Sequence, residues 1–324
     1  MIDRRHAILG TLAAGFAAPV LGQGGGDGGA SADPVETIGL WPGAAPGMPA
    51  TPPVEKIDER SRTTDRRNRS IMGIVRPRLM VFRPVRPNGS ALLVIPGGGY
   101  RLIAFDHEGY AVARRLAARG WTVFVLLYRL PGDGWAAGPD VALSDAQRAM
   151  RLIRARAATY GIRTDRVGVL GFSAGGHLCG DLATRFATPT YAPVDAADRL
   201  DARPVIAAPI YAVQSMTLPM AHGGSRALLI GKDASPALER AHSTALNVTV
   251  QTPPCFLVHA EDDPVVDVGN TLAFRAALKA AKVSVETHLY AEGGHGFSLN
   301  LPATKPAAGW LDLFMLWAGT RGLG

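Results

Sequence analysis

The chain has 324 residues, 47% of them hydrophobic and 19% charged, and a formal net charge of +7 at pH 7. This composition excludes an intrinsically disordered chain, which has fewer apolar residues, and a membrane-spanning protein, which has long uninterrupted apolar runs. The basic charge does not indicate nucleic-acid binding, because the densest arginine cluster, residues 60–69, is interrupted by Asp65 and contains no aromatic residue for base stacking.

Residues 1–32 have the features of an export signal. Arg4 and Arg5 precede a mildly apolar run over residues 7–21, and an almost all-glycine stretch follows. A short basic segment, an apolar run and small residues at the cleavage site are typical of a signal peptide, and the paired arginines indicate the twin-arginine route. We expect cleavage after Gly22 or after Ala32, and a periplasmic or secreted protein without a membrane span.

Residues 33–324 are predicted to form a single α/β domain. Its first part, residues 33–78, is rich in Pro and Arg and is expected to wrap around the domain and add an antiparallel edge. Strands and helices then alternate, which implies a mostly parallel central sheet with helices on both faces. The predicted strands are residues 79–82, 91–95, 121–127, 167–170, 205–210, 255–259 and 284–290. The predicted helices lie near residues 107–119, 144–160, 174–186, 269–281 and 306–318.

Two longer connections, residues 189–203 and 213–246, are expected to face the substrate. The only two cysteines, Cys179 and Cys255, lie in segments that are predicted to be buried. An oxidising compartment permits a disulfide between them, whereas burial in the core favours two free thiols.

A glycine-rich loop follows the predicted strand at residues 91–95. It reads PGGGY, from Pro96 to Tyr100. Consecutive glycines let the backbone approach a substrate closely and turn its N–H groups toward an oxygen that becomes charged. We therefore predict that Gly98 or Gly99 donates to an oxyanion hole.

The sequence GFSAG at residues 171–175 fits the G-x-S-x-G pattern and lies where a predicted strand meets a predicted helix. In that setting the serine occupies a sharp turn above the sheet, and the backbone N–H of the next residue points toward the forming oxyanion. Ser173 is the candidate nucleophile, and Ala174 supplies the candidate second donor. Because a lone G-x-S-x-G is a weak signal in a glycine-rich chain, the prediction requires an acid and a base.

The acid and the base are expected to follow the serine in that order. The strand at residues 255–259 runs into a turn with four acidic residues between positions 261 and 267. After the last predicted strand, His295 stands between glycines. His295 is the candidate base, and spacing alone leaves Asp262 and Asp263 open as the acid.

Seven segments together resemble the acetyl-xylan-esterase-like branch of the α/β-hydrolases, which is related to the hormone-sensitive-lipase-like esterases. These segments are residues 96–100, 106–109, 128–131, 145–148, 170–178, 222–225 and 294–297. The resemblance implies an α/β-hydrolase fold, with Ser173 as nucleophile, His295 as base and Asp263 as acid. The lipase-like relatives begin the oxyanion motif with His where Pro96 stands here, so only the glycine donors carry over.

The resemblance further implies a serine esterase that removes acetyl groups from hemicellulose-derived carbohydrate, with a small-molecule or oligosaccharide ester as its partner. A general short-chain carboxylesterase, an arylformamidase-like amide hydrolase and a non-catalytic carbohydrate-binding protein are the alternatives, since a triad identifies acyl transfer but not the alcohol. Candidate substrate contacts are Tyr100, His107, His222 and Ser225, and for His107 capping of the following helix is the alternative. No spacing suits a metal, and no cofactor is expected.

Overall fold

The computed structural model describes residues 33–61 and 67–324. The predicted export signal and its cleavage sites lie outside these residues. The strands are β1 (Thr37–Gly39), β2 (Lys56–Glu59), β3 (Arg69–Met72), β4 (Arg78–Phe82), β5 (Ala91–Ile95), β6 (Thr122–Leu127), β7 (Val167–Phe172), β8 (Ala207–Ile210), β9 (Cys255–Ala260) and β10 (Val285–Tyr290). The α-helices are α1 (Ala111–Ala117), α2 (Val141–Ala155), α3 (Ser173–Arg185), α4 (Gly223–Ile230), α5 (Pro236–His242), α6 (Gly269–Ala280) and α7 (Trp310–Gly319).

Eight strands form one sheet in the order β1-β4-β6-β5-β7-β8-β9-β10, and β2 and β3 form a separate antiparallel pair. The pairs β1–β4 and β4–β6 are antiparallel, and the remaining neighbours are parallel. This confirms the predicted mostly parallel sheet and the antiparallel edge from the N-terminal segment. The carboxyl ends of β5, β7, β8 and β9 consequently lie along the same edge of the sheet.

Apolar burial explains why these segments form the centre of the sheet. Every residue of β5, β6, β7 and β9 is buried. Since successive side chains of a strand point to opposite faces, burial of all of them means that both faces are covered. All seven predicted strands are present, with ends that shift by no more than two residues.

The helix predicted near residues 107–119 begins differently. A π-helical turn, Asp106–Tyr110, leads into α1. The turn places two acidic side chains in the interior, where Asp106 accepts hydrogen bonds from Arg69 of β3 and Glu108 accepts one from Gly97. π-helical turns of this kind occur frequently at functional sites.

The prediction that residues 189–203 face the substrate is wrong. Their acidic side chains bind Arg148, a buried residue of α2: its Nη1 lies 2.7 Å from Asp195 Oδ1 and 3.0 Å from Asp198 Oδ1. These ion pairs hold the segment against α2, and it contributes no residue to the cavity at Ser173. The other connection, residues 213–246, carries α4 and α5 and does line that cavity.

Cys179 and Cys255 are both buried and both free, as the core positions favoured. Burial raises the pKa of the Cys179 thiol well above its usual range. In residues 33–61 and 67–324, no helix is long and apolar enough to cross a bilayer.

Candidate active site

The candidate nucleophile lies at the junction between β7 and α3. Ser173 has a backbone φ of +52°, in the left-handed region that a residue with a side chain rarely adopts. The close approach of the β5 strand makes this turn depend on glycine, because a Cβ on Gly175 would lie 2.3 Å from the carbonyl oxygen of Ile95. The hydroxyl of Ser173 lies in an open cavity although the residue is only 9% exposed.

The three predicted triad side chains form one continuous line of hydrogen bonds. Nε2 of His295 lies 2.9 Å from Oγ of Ser173, and Nδ1 lies 2.7 Å from Oδ2 of Asp263. An ionised carboxylate only accepts, so Nδ1 carries the proton and donates it to Asp263. Nε2 is then the acceptor that faces the serine hydroxyl, which is the arrangement that a general base requires.

Asp263 is held ionised by its surroundings. Burial acts to raise the pKa of this carboxyl, but hydrogen bonds from His259, His295 and the backbone N–H groups of Val266 and Val265 outweigh it and hold the pKa well below its usual range. Nε2 of His259 lies 3.2 Å from Asp263 Oδ2 and 2.9 Å from the carbonyl oxygen of Val266. His259 and His295 therefore both contact Oδ2 of Asp263, while its Oδ1 accepts the backbone N–H groups of Val265 and Val266.

Asp262 points elsewhere. Its Oδ1 accepts the backbone N–H groups of Gly293 and Gly294 at 2.9 and 2.7 Å. It thereby supports the loop that carries His295 without touching the imidazole. Of the two adjacent aspartates, only Asp263 contacts the candidate base.

The glycine loop presents backbone donors to the same cavity. Gly97 donates its N–H to Oε2 of Glu108 at 2.8 Å. Among the described residues no acceptor pairs with the N–H of Gly98 or Gly99, and both glycines line the cavity with Ser173. Gly98 has a φ of +132°, and a Cβ there would lie 2.1 Å from the carbonyl oxygen of Leu102, so this backbone path requires glycine.

The third predicted donor belongs to α3. Ala174 is fully buried and lies in the first turn of this helix, where backbone N–H groups have no partner within the helix. Its N–H belongs to the positive end of the helix dipole, which favours a developing negative charge. The geometry thus brings the glycine loop, the start of α3, the serine and the histidine to one cavity.

Comparison with known proteins identifies the family. The BD-FAE family model matches residues 84–278, more than half of the chain. The chain belongs to the BD-FAE family. A solved structure, the acetyl ester-xyloside bifunctional hydrolase from Caldicellulosiruptor lactoaceticus, is 32% identical with a TM-score of 0.73, covering 89% of this chain and 97% of that one. The predicted α/β-hydrolase fold and acetyl-xylan-esterase-like branch are confirmed.

Two curated relatives of this BD-FAE chain are longer proteins. An acetylxylan esterase of Xylanibacter ruminicola is 32% identical over 224 residues, which are 68% of this chain and 43% of that protein. An endo-1,4-beta-xylanase B of Butyrivibrio fibrisolvens is 33% identical over 213 residues, which are 64% of this chain and 32% of that protein. The chain therefore spans less than half the length of either relative.

The cavity of the BD-FAE chain has a volume of about 630 Å³ and joins the triad to the connection that carries α4. Leu102, Leu228 and Val265 form an apolar part of its lining, and His107 and His222, two of the predicted substrate contacts, add polar side chains. A second cavity of about 580 Å³, beside Trp41, contains none of the predicted site residues. In the described ranges, no group of three His, Cys, Asp or Glu side chains is placed to hold a metal ion.

His222 faces the cavity as a neutral imidazole. Burial, with a further contribution from the neighbouring His295, lowers its pKa below the usual value. Its Nδ1 accepts the backbone N–H of Ser225 at 3.2 Å and lies 2.8 Å from the Ser225 hydroxyl, so Nε2 carries the proton. Nε2–H of His222 is thus the donor left for a ligand.

Two of the predicted substrate contacts, Tyr100 and Ser225, do not line the cavity. Tyr100 is 1% exposed and does not line the cavity, because its φ of +59° turns the ring inward, where the hydroxyl lies 2.6 Å from Nδ1 of His177. Ser225 is fully buried, and its hydroxyl lies 2.8 Å from Nδ1 of His222. Adjacency to a loop that lines a cavity does not determine where a side chain points.

Proposed function

We propose that the protein is a serine carboxylic ester hydrolase that removes acetyl groups from hemicellulose-derived carbohydrate. The observation that carries the proposal is the unbroken line from Asp263 through His295 to Ser173, beside the N–H groups of Gly98 and Gly99, which have no acceptor within residues 33–61 and 67–324. A nucleophile, a base and an oxyanion hole at one open cavity are the complete requirement for acyl transfer.

The reaction follows from these positions. Nε2 of His295 takes the hydroxyl proton as Oγ of Ser173 attacks the acyl carbonyl carbon, and Asp263 stabilises the imidazolium that results. The carbonyl oxygen becomes an oxyanion, which the N–H of Ala174 and that of Gly98 or Gly99 stabilise. His295 then protonates the leaving alcohol. In the second half, His295 takes a proton from water as the water oxygen attacks the acyl carbon, and it returns that proton to the departing Oγ of Ser173 as the carboxylic acid is released.

The names of the relatives support an acetylated carbohydrate as the substrate. One is named an acetylxylan esterase, another a xylanase, and the solved structure an acetyl ester-xyloside hydrolase. The wider set includes the esterase LipQ of Mycobacterium tuberculosis, 29% identical over 222 residues, which favours a general carboxylesterase as the second candidate. The polar donors His107 and His222 beside an apolar wall suit a sugar ester, whose hydroxyl groups need partners.

Acetate release separates these two candidates. We expect release from acetylated xylan and acetylated xylo-oligosaccharides, together with hydrolysis of p-nitrophenyl acetate, and none of these in the variant Ser173→Ala. Hydrolysis of p-nitrophenyl acetate and octanoate without release from the sugars would assign a general esterase. Release that persists in Ser173→Ala would mean that another group performs the attack.

Export through the twin-arginine route is the second part of the proposal, and it is supported by Arg4, Arg5 and the apolar run over residues 7–21. We expect the protein in a periplasmic or culture-medium fraction to begin at Gln23 or Asp33. Replacing Arg4 and Arg5 by Lys should retain it in the cytoplasm as the full-length chain. N-terminal sequencing of the fractions decides, and a mature protein that begins at Met1 would contradict the proposal.

A further inference from the structure

Glu108 is a buried acid at the cavity that the triad does not use. It is 3% exposed, and each of its two oxygens accepts a hydrogen bond. Oε2 accepts the backbone N–H of Gly97 at 2.8 Å, and Oε1 accepts the hydroxyl of Tyr211 at 3.0 Å. A carboxylate is buried at a large cost unless such bonds compensate it, so both contacts are required for Glu108 to lie there.

The two partners of Glu108 follow different strands, Gly97 after β5 and Tyr211 after β8. Gly97 begins the loop that presents Gly98 and Gly99, and a Cβ built on it would lie 2.9 Å from both Glu108 Oε2 and Ser173 Cβ. The Glu108 carboxylate therefore lies immediately behind the nucleophile's turn. Its bond to Gly97 fixes the start of the loop, and the next two residues, Gly98 and Gly99, line the cavity.

Tyr211 extends the contact to the base. It is fully buried after β8, its ring meets the His295 ring edge-to-face at a centroid distance of 5.2 Å, and its oxygen accepts the N–H of Ser298 at 3.2 Å. The hydroxyl of Ser298 donates to the carbonyl oxygen of His107 at 2.6 Å. The chain of contacts thus returns to the π-helical turn that carries Glu108.

Backbone strain is concentrated in the same place. In the described residues, five residues other than glycine have a positive φ. Four of them, Tyr100, Ser173, Tyr211 and Ser298, belong to the glycine loop, the nucleophile's turn and the Glu108 contacts. Strained conformations persist only where the surrounding structure enforces them, and Glu108 and Tyr211 supply contacts of that kind.

We infer that Glu108 is a positioning residue that acts through Tyr211 as a clamp, which we call the Glu108–Tyr211 clamp. It fixes the loop at residues 96–100 and the loop at residues 292–298 relative to each other, so that the oxyanion donors and His295 stay aligned with Ser173. The inference rests on the proposed ester hydrolysis and identifies the residues that keep the oxyanion donors, His295 and Ser173 aligned.

Replacing Glu108 tests the clamp. Glu108→Ala removes both acceptors, and we expect kcat to fall about 100-fold with KM within about threefold, because misplaced oxyanion donors affect the transition state and not ground-state binding. Glu108→Gln keeps an acceptor for Gly97 and can donate to the Tyr211 oxygen. It should restore kcat to within about tenfold of the wild type, because it fills the same volume and keeps a hydrogen bond to each partner.

A double-mutant cycle tests the partnership. Tyr211→Phe keeps the ring against His295 and loses only the hydroxyl, and we expect kcat to fall about tenfold. In the double variant Glu108→Ala/Tyr211→Phe, kcat should fall by less than the product of the two single-variant decreases, since the hydroxyl acts largely through the carboxylate. The control is Tyr160→Phe, which removes another tyrosine–carboxylate bond, 2.8 Å to Glu36 Oε1, remote from the cavity. It should leave kcat and KM unchanged.

Labelling of Ser173 by a fluorophosphonate tests the Glu108–Tyr211 clamp without an ester substrate. The measured quantity is the rate of labelling. Phosphonylation also develops charge on an oxygen in the oxyanion hole, so Glu108→Ala should slow it about 100-fold. Two outcomes would overturn the clamp. One is a labelling rate and a kcat of Glu108→Ala within about threefold of the wild type; the other is a double variant whose decrease in kcat equals the product of the two single decreases. If Glu108→Ala does not fold, the kcat values of Glu108→Gln and Tyr211→Phe, compared with that of Tyr160→Phe, test the clamp instead. A wild type that is labelled but hydrolyses no ester would contradict the proposed function and leave the clamp testable.

Discussion

Ser173→Ala is expected to lower the kcat for p-nitrophenyl acetate by about 10⁶-fold, the loss seen when a triad serine or histidine is removed elsewhere. The reason is geometric as well as chemical. Nε2 of His295 lies 2.9 Å from this hydroxyl, and the variant leaves no other group there to form the acyl-enzyme. Steady-state kinetics measures the loss, and mass spectrometry of the quenched wild type should detect an acetyl group on the peptide that contains Ser173.

The fold should survive this change, which makes the result interpretable. Alanine keeps a Cβ at the φ of +52°, so the strain of the turn is the same in both proteins. Ser90→Ala is the matched control, because Ser90 is also buried and its hydroxyl has no partner among the described residues. That variant should keep full activity. Turnover by Ser173→Ala within about tenfold of the wild type would remove Ser173 as the nucleophile.

The strands were predictable because burial on both faces produces a simple sequence pattern. A parallel strand covered by helices reads as a continuous apolar run, as β5 does from Ala91 to Ile95. The start of the helix after the glycine loop was less predictable. Its first turn is set by Arg69 and Gly97, which lie outside the helix and donate hydrogen bonds to Asp106 and Glu108. Local periodicity does not record such contacts.

The candidate triad was predictable as residue types on an expected topology, but one choice needed the resemblance. Asp262 and Asp263 are adjacent, and spacing alone does not distinguish them. What separates them is the turn that follows β9: Asp263 accepts the backbone N–H groups of Val265 and Val266 and is drawn inward, while Asp262 faces the loop at Gly293.

The Glu108–Tyr211 clamp was not predictable. Its two side chains are 103 positions apart, and no spacing pattern in the sequence links them. Tyr100 shows the same limit, since it was expected in the cavity but turns away from it toward His177. Which way a side chain points depends on backbone angles that residue types do not fix.

Asp263→Asn is expected to lower kcat by about 10⁴-fold, whereas Asp262→Asn should change it by no more than about threefold. Asn at position 263 presents an amide that donates where a carboxylate accepted, and it no longer stabilises the imidazolium. The 2.7 Å contact with Nδ1 of His295 then holds the ring in the wrong tautomer. Asn at position 262 keeps an oxygen for the N–H groups of Gly293 and Gly294, so the loop should stay in place.

The same pair of variants should differ in the acid dependence of stability. Because hydrogen bonds hold the pKa of folded Asp263 below its ordinary value, ionised Asp263 stabilises the folded state at every pH above that ordinary value. The contribution is lost as pH falls below about 4 toward the folded pKa, since protons then bind the unfolded chain first. Thermal unfolding across this range should show a smaller loss in Asp263→Asn than in the wild type or in Asp262→Asn. If instead Asp262→Asn lost the kcat and Asp263→Asn kept it, the acid would be Asp262, and the inward hydrogen bonds of Asp263 would serve only the turn.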